Sequence, residues 1–245
     1  MRPIGFSTGA VAYADFRSAL GVLEQTNADA IELSALRSEE LPPLVDAVVS
    51  LRLERYHHIS VHLPSHFAPS LESEFYDLVK RLPDEWPLVI HPDVIRNFDL
   101  WRKLGSRICI ENMDKRKPVG QTCSDLLKIF DKLPEASFCF DIGHAHQIDP
   151  TMCEAMMILE EFRGKLRELH VSEVNSESKH DPISLEAQRS FEIVARLIPE
   201  EIPAILESRV AGPGEFLGDE VHRRIEHELR LVEALLRIPV QLAAD

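Results

Sequence analysis

The sequence predicts an α/β chain closed into a (β/α)8 barrel, and three observations predict it. Short apolar, strand-like runs recur eight times along 245 residues, each followed by a segment of helical periodicity. They are spaced at roughly 30 residues, the size of one βαβ unit, and strict alternation of this kind implies a parallel sheet. The length matches the ~250 residues typical of eight such units closed into one barrel, so residues 1–245 read as one TIM-barrel domain. A doubly wound open sheet is the alternative. It would carry a glycine-rich phosphate loop after the first strand, for which GFSTGA at 5–10 is a weak match.

The predicted strands, in order, are Ile4–Ser7, Ala30–Leu33, Ile59–His62, Leu88–His91, Ile108–Glu111, Phe138–Asp141, Leu166–His170 and Ala204–Glu207. Each is a short run of mostly apolar residues, as expected for a strand buried on both faces. Helical spacing fills the gaps, as in Phe16-Leu20-Leu23, Leu44-Val48-Leu51, Leu126-Leu127-Phe130 and Phe191-Val194-Leu197, and in the long segment from Val221 to Leu236. Pro87, Pro150, Pro182 and Pro203 punctuate the element ends, and no low-complexity linker divides the chain.

Composition narrows the functions. Hydrophobic residues make up 44%, enough for a full core, and 27 basic against 41 acidic residues leave a net charge of −14. Such a surface repels phosphate backbones, so nucleic acid is disfavoured as a partner and a small molecule is favoured. No apolar run reaches the ~18 residues of a membrane span, and MRPIGFSTG lacks the apolar stretch of a signal peptide. The four cysteines form no CxxC pair, and two lie in apolar runs, which reads as a reduced, cytoplasmic protein. An apolar tail at Pro239-Val240-Leu242 hints at a homo-oligomer interface.

In a barrel of this class the active site lies at the C-terminal ends of the strands. The third to eighth predicted strands end, in turn, in His62, His91, Glu111, Asp141, His170 and Glu207, and His144 follows Asp141 by one turn. Side chains alternate along a strand, so these residues point inward together with Ser60, Val89, Cys109, Cys139, Glu168 and Ile205, while the larger apolar residues face the helices. A histidine after one strand is usually a structural hydrogen-bonder. Several carboxylates on one axis would instead repel each other and lose hydration, and a divalent cation relieves both. Mixed imidazole and carboxylate ligands suit Zn²⁺, Mn²⁺ or Fe²⁺, with Mg²⁺ a further candidate. His180, in HVSEVNSESKHDPIS, lies on a loop expected to fold over the mouth and is a further candidate ligand. His57, His58, His222 and His227 read as solvated, and His66 and His146 as residues of the top loops.

The strand ends, with HLP at 62–64, HPD at 91–93, IEN at 110–112, DIGH at 141–144, HVSEVN at 170–175 and ILES at 205–208, resemble the xylose isomerase-like TIM barrels over nearly the whole chain. That superfamily includes sugar isomerases, ketose epimerases and type IV apurinic endonucleases. The isomerase-like members imply one metal held by Glu111, Asp141, His170 and Glu207. Glu111 and Glu207 would then be acid and base, and His144 would touch a substrate hydroxyl. HVSEVN resembles the HVGEGN-like stretch of ketose epimerases, but the arginine that follows there is Ser176 here. The endonuclease-like members imply up to three metals: His62, His91 and Glu111 at the first, Glu111 (bridging), Asp141, His170 and Glu207 at the second, His144 and His180 at the third. The carboxylate expected two residues before the last histidine is Ser178 here, with Asp181 as the candidate substitute.

Two activities follow as expectations. One is a metal-dependent isomerase or epimerase of a small sugar, polyol or sugar phosphate, with Lys115 (of Lys115-Arg116-Lys117) and Arg209 holding an anionic group. The other is a di- or trinuclear hydrolase of phosphoesters, or a multinuclear redox enzyme. A non-catalytic metal site is disfavoured, because a structural site is normally closed and this one lies at an open mouth.

Overall fold

The computed structural model of the protein describes residues 2–212, 215 and 218–237, so the predicted interface tail at 239–242 lies outside the described residues. The strands are β1 (Ile4–Ser7), β2 (Ala30–Ser34), β3 (His58–His62), β4 (Leu88–Ile90), β5 (Ile108–Glu111), β6 (Ser137–Asp141), β7 (Leu166–Val171), β8 (Glu173–Val174), β9 (His180–Asp181) and β10 (Ala204–Leu206). All but β8 and β9 close into one parallel barrel in the order β1-β10-β7-β6-β5-β4-β3-β2. This is the predicted architecture. The strand limits differ by a residue or so: His91 and Glu207 stand just past β4 and β10, and β3 begins at His58.

The helices are α1 (Thr8–Ala12), α2 (Phe16–Leu23), α3 (Leu41–Ala47), α4 (Glu72–Val79), α5 (Phe98–Trp101), α6 (Cys123–Lys132), α7 (Ile142–Ile148), α8 (Cys153–Phe162), α9 (Leu185–Ala195) and α10 (Asp219–Leu236). Their apolar stripes meet the outer face of the barrel. Phe138 of β6 packs against Phe130 of α6 and Phe162 of α8, with ring centroids 6.1 and 5.6 Å away. Burying each such side chain contributes roughly 1.5–3 kcal/mol, and the ring cluster fixes the strand that ends in Asp141.

The inner face is of another kind. Val89, Cys109 and Cys139 form a small apolar cluster of their own inside the barrel. Around and above them the buried residues are polar: Glu32, Ser34, Ser60, His62, Glu111, Asp141, Glu168 and His170. The barrel wall thus separates a continuous apolar layer outside from an ionisable interior. The short antiparallel pair β8–β9 is a feature the sequence did not announce; it aligns Val174 with His180 and so returns the loop after β7 to the mouth. No helix among the described residues is long and apolar enough to cross a membrane.

Candidate metal centre at the barrel mouth

Local hydrogen bonds set the strand ends. Asn112 Nδ2 donates to the Asp141 carbonyl at 2.8 Å, and Asp141 N donates back to Asn112 Oδ1 at 2.8 Å, which ties the ends of β5 and β6 together. Asp141 is also the N-cap of α7: its Oδ1 accepts from His144 N at 2.7 Å, leaving Oδ2 buried with no hydrogen-bond partner. Gly143 permits this turn, because a Cβ there would lie 2.3 Å from the Ser172 carbonyl oxygen. The DIGH motif therefore needs its glycine for the close approach of α7 to β7.

Glu111 is the hub. Its Oε2 lies 3.3 Å from His62 Nε2 and 3.1 Å from His91 Nε2. Its Oε1 lies 3.3 Å from His170 Nδ1 and 3.5 Å from His144 Nδ1. His62 Nδ1 donates to the Leu63 carbonyl at 2.7 Å, and His144 Nδ1 donates to the Asn112 carbonyl at 2.9 Å. Each bond leaves Nε2 as the nitrogen free to act as a ligand. Three groups of donor atoms result at the mouth, each within 4.8 Å internally: His62, His91 and Glu111; Glu111, Asp141, His170 and Glu207; and Asp141, His144 and His180; a fourth, Cys139, Glu168 and His170, lies one layer below.

Charge makes the arrangement costly without a cation. Burial pushes the carboxyls of Asp141 and Glu207 up to about 8, and the nearby Glu111 charge pushes the same way. Glu111 goes the other way: burial opposes ionisation, but hydrogen bonds from His170, His62 and His91 hold it well below the usual carboxylate range. Burial lowers His62, yet the charges of Glu32 and Glu111 raise it to about 9, and burial with the neighbouring His144 lowers His180 to about 3. A divalent cation fits this donor set. It would replace the protons that Asp141 and Glu207 otherwise retain, and it would engage the orphaned Asp141 Oδ2.

The centre opens into a cavity of about 210 Å³ whose wall includes His62, His144, His180 and Glu207. Arg116, Lys117 and Arg209 also line it, whereas Lys115 is exposed and turned away, its backbone N–H donating to Gln147. Arg116 is held by Asp114 through bonds of 3.1 and 2.9 Å, and Lys117 by Asp93 at 3.0 Å. Arg209 lies over the Tyr13 ring and makes no ion pair among the described residues. Ser178 does line the cavity, in a left-handed conformation with φ of 54°, and takes a hydrogen bond from Gln147 Nε2 at 2.9 Å. Asp181, the suggested substitute ligand, is engaged by Asn175 Nδ2 at 2.7 Å and belongs to none of the three donor groups.

Sequence reasoning missed Glu32, Asp114 and Tyr13, and misplaced His58. That histidine is not on a solvated helix; it opens β3, is half-buried, and pairs with Glu168. Glu32 had a legible signal, a charge between Ile31 and Leu33 in a buried strand.

No family model matches the chain, and no curated protein matches it in sequence. Solved structures do match. The 3-keto-D-glucoside 4-epimerase YcjR of E. coli superposes with a TM-score of 0.62 at 11% identity, covering 96% of this chain and 100% of that one. A xylose isomerase domain protein from Alicyclobacillus acidocaldarius gives 0.61 at 15% identity over 96% and 98%. Endonuclease IV from Thermus thermophilus gives 0.56 at 15% identity over 96% and 98%. At such identities the likeness establishes the fold alone, a (β/α)8 barrel of the kind these proteins share.

Proposed function

We propose that this xylose isomerase-like barrel is a divalent-metal-dependent isomerase or epimerase of a small sugar, polyol or sugar phosphate. The observation that carries the reading is Glu207. It stands on the cavity wall within the carboxylate-rich donor group, with its carboxyl raised to about 8 by burial and by Glu111 and Asp141. A carboxyl near neutrality is matched to taking a proton from carbon and giving it back at ambient pH. Glu111 is the second carboxylate of the pair, held ionised by its histidines. A metal ion held by Glu111, Asp141, His170 and Glu207 would polarise the carbonyl and hydroxyl oxygens of the substrate. Arg209 and Arg116 on the rim offer forked donors to a phosphate or carboxylate, and His144 a contact to a hydroxyl. The epimerase among the structural neighbours supports this class.

One observation favours a second reading. Glu111 presents Oε2 to His62 and His91 and Oε1 to His170, the disposition of a carboxylate bridging two metals. A dinuclear hydrolase of a small phosphoester would use that bridge, since two ions can clamp both oxygens of a displacement. The net charge of −14 speaks against DNA as its substrate.

Metal content per chain, by elemental mass spectrometry on protein grown without chelator, tests both readings. A value near one, with turnover of a ketose or its phosphate that Glu207→Gln abolishes, supports the isomerase or epimerase. A value of two with phosphoester cleavage supports the second reading. No uptake of Mn²⁺, Zn²⁺ or Fe²⁺ overturns both.

A further inference from the structure

Beneath the metal centre lies a second polar layer that the proposed chemistry does not use. Glu168 precedes His170 by two residues on β7, and Glu32 lies in the middle of β2; both are fully buried. Strand register brings them together: Glu168 pairs with Cys139 one layer below the Asp141–His170 pair, and Glu32 aligns with Ser60 of β3. The small side chains of Cys109 and Cys139 leave room for two carboxylates in this layer.

His170 spans the two layers. Its Nδ1 faces the mouth, 3.3 Å from Glu111 Oε1 and 3.6 Å from Glu207 Oε2. Its Nε2 faces downward, 3.1 Å from Glu168 Oε1 and 3.2 Å from Glu32 Oε2. The outer ends of both carboxylates are occupied. His58 takes the other oxygen of Glu168, and Ser34 Oγ donates to Glu32 Oε1 at 3.3 Å while also meeting Ser7 Oγ at 2.5 Å. Glu32 Oε2 is buried without a hydrogen bond, and it faces the His170 nitrogen as a charge at 3.2 Å, whereas Glu168 Oε1 is hydrogen-bonded to it.

We propose that Glu168 and Glu32 are positioning residues: Glu168 accepts the Nε2–H of His170, Glu32 faces the same edge of the ring with its charge, and together they direct the Nδ1 lone pair into the metal centre. A neutral imidazole carries one proton, and the group that takes it decides which nitrogen binds metal; a carboxylate in that role also raises the basicity of the ligand. Packing alone does not explain the pair. Two buried carboxylates are costly to desolvate, and apolar residues of similar volume would fill the layer at least as stably. His58 meets Glu168 from the bottom of the barrel. The proposal rests on the metal reading above, of either nuclearity.

Zn²⁺ affinity by chelator competition, on the full chain and on Glu168→Gln and Glu32→Gln, tests it. Loss of such a partner weakens metal binding about 10–100-fold. That loss is expected in Glu168→Gln, a smaller one in Glu32→Gln, while the melting temperature of the metal-free variants holds or rises. Affinities within about twofold of the parent in both variants, well short of that range, overturn the proposal. The pairing is also read without metal, by ¹⁵N-resolved NMR of His170. A protected, downfield Nε2–H signal is expected in the parent and lost in Glu168→Gln; an unchanged signal overturns the pairing even where the parent binds Zn²⁺. A parent that takes up no Zn²⁺ but shows the Nε2–H signal refutes the metal reading, and with it the positioning role, while leaving the hydrogen bond established. If Glu168→Gln does not fold, Glu32→Gln carries the affinity measurement and the parent's own Nε2–H signal carries the pairing, whose absence overturns it.

Discussion

The two oxygens of Glu111 face different company. On the Oε2 side stand His62, which at about 9 already holds a proton of its own, and His91, which burial lowers and so keeps neutral. On the Oε1 side stand His170 and, in the same donor group, Asp141 and Glu207. Those two carboxyls reach about 8, which means that near neutrality protons are retained where a cation would otherwise sit. The need for positive charge is therefore unequal. The carboxylate side demands an ion; the imidazole side only accepts one. The order of occupation follows, with the group of Asp141, His170 and Glu207 filled first and the His62–His91 group second.

The largest effect is expected where both sides meet. Glu111→Gln removes the shared ligand and leaves a neutral amide facing histidines that had stabilised an anion. Activity is expected to fall by at least ~10³-fold, as when a group acting on the transition state is lost, with metal content dropping toward zero. Elemental analysis and turnover on one preparation check this. Retained metal with full turnover would show that Glu111 is a bystander.

An unequal response of the two sides is the next expectation. Asp141→Asn should weaken the first ion by at least the roughly 10–100-fold that loss of a ligand's outer partner costs, since Asp141 is itself a ligand in this reading. His91→Ala should leave that ion in place and remove only a second one. His91 is the cleaner probe, since its Nδ1 makes no hydrogen bond and Glu111 keeps His62 and His170 when His91 is removed. Isothermal titration with Zn²⁺ resolves the two. If His91→Ala costs as much as Asp141→Asn, the sides are equivalent and the order of filling fails; if turnover collapses in His91→Ala while the first ion stays, the dinuclear reading gains.

The upper layer of this centre was legible in the sequence because strand geometry converts position into direction. Six strands ending in His62, His91, Glu111, Asp141, His170 and Glu207 need no further information to converge once the barrel closes. In the lower layer the sequence placed Glu168, Cys109 and Cys139 inward but not their partners, since a pair such as His58 and Glu168, 110 residues apart, depends on which strand feet face each other across the barrel. The loops were harder still. Asp114 Oδ1 accepts from Arg116 N at 2.7 Å, and this local turn folds Arg116 back over the cavity while Lys115 points outward. From the string Lys115-Arg116-Lys117 alone, nothing distinguishes the three.

The smallest expected effect is on stability, and it reads the protons that the centre holds when no cation is bound. Asp141 and Glu207 are raised to about 8 and His62 to about 9, all above their unfolded values of about 4 and about 6.5. A raised folded-state pKa means that the folded chain binds more protons than the unfolded one, so the stability it confers is present at low pH and is lost as pH rises through the folded value. His91 and His180, both lowered chiefly by burial, act below about 6.5, where they oppose folding as the pH falls. The clean window is thus about pH 6.5–9. The metal-free, chelator-treated protein should melt lower at about pH 9 than at about pH 6.5, by on the order of 5 °C. With saturating Zn²⁺ the slope should flatten or reverse, because the cation takes the place of the protons and binds more tightly as they leave. A metal-free melting temperature that stays level or rises across this window would mean that Asp141 and Glu207 are already ionised and compensated. The carboxylate side would then have no stronger claim on the first ion than the imidazole side.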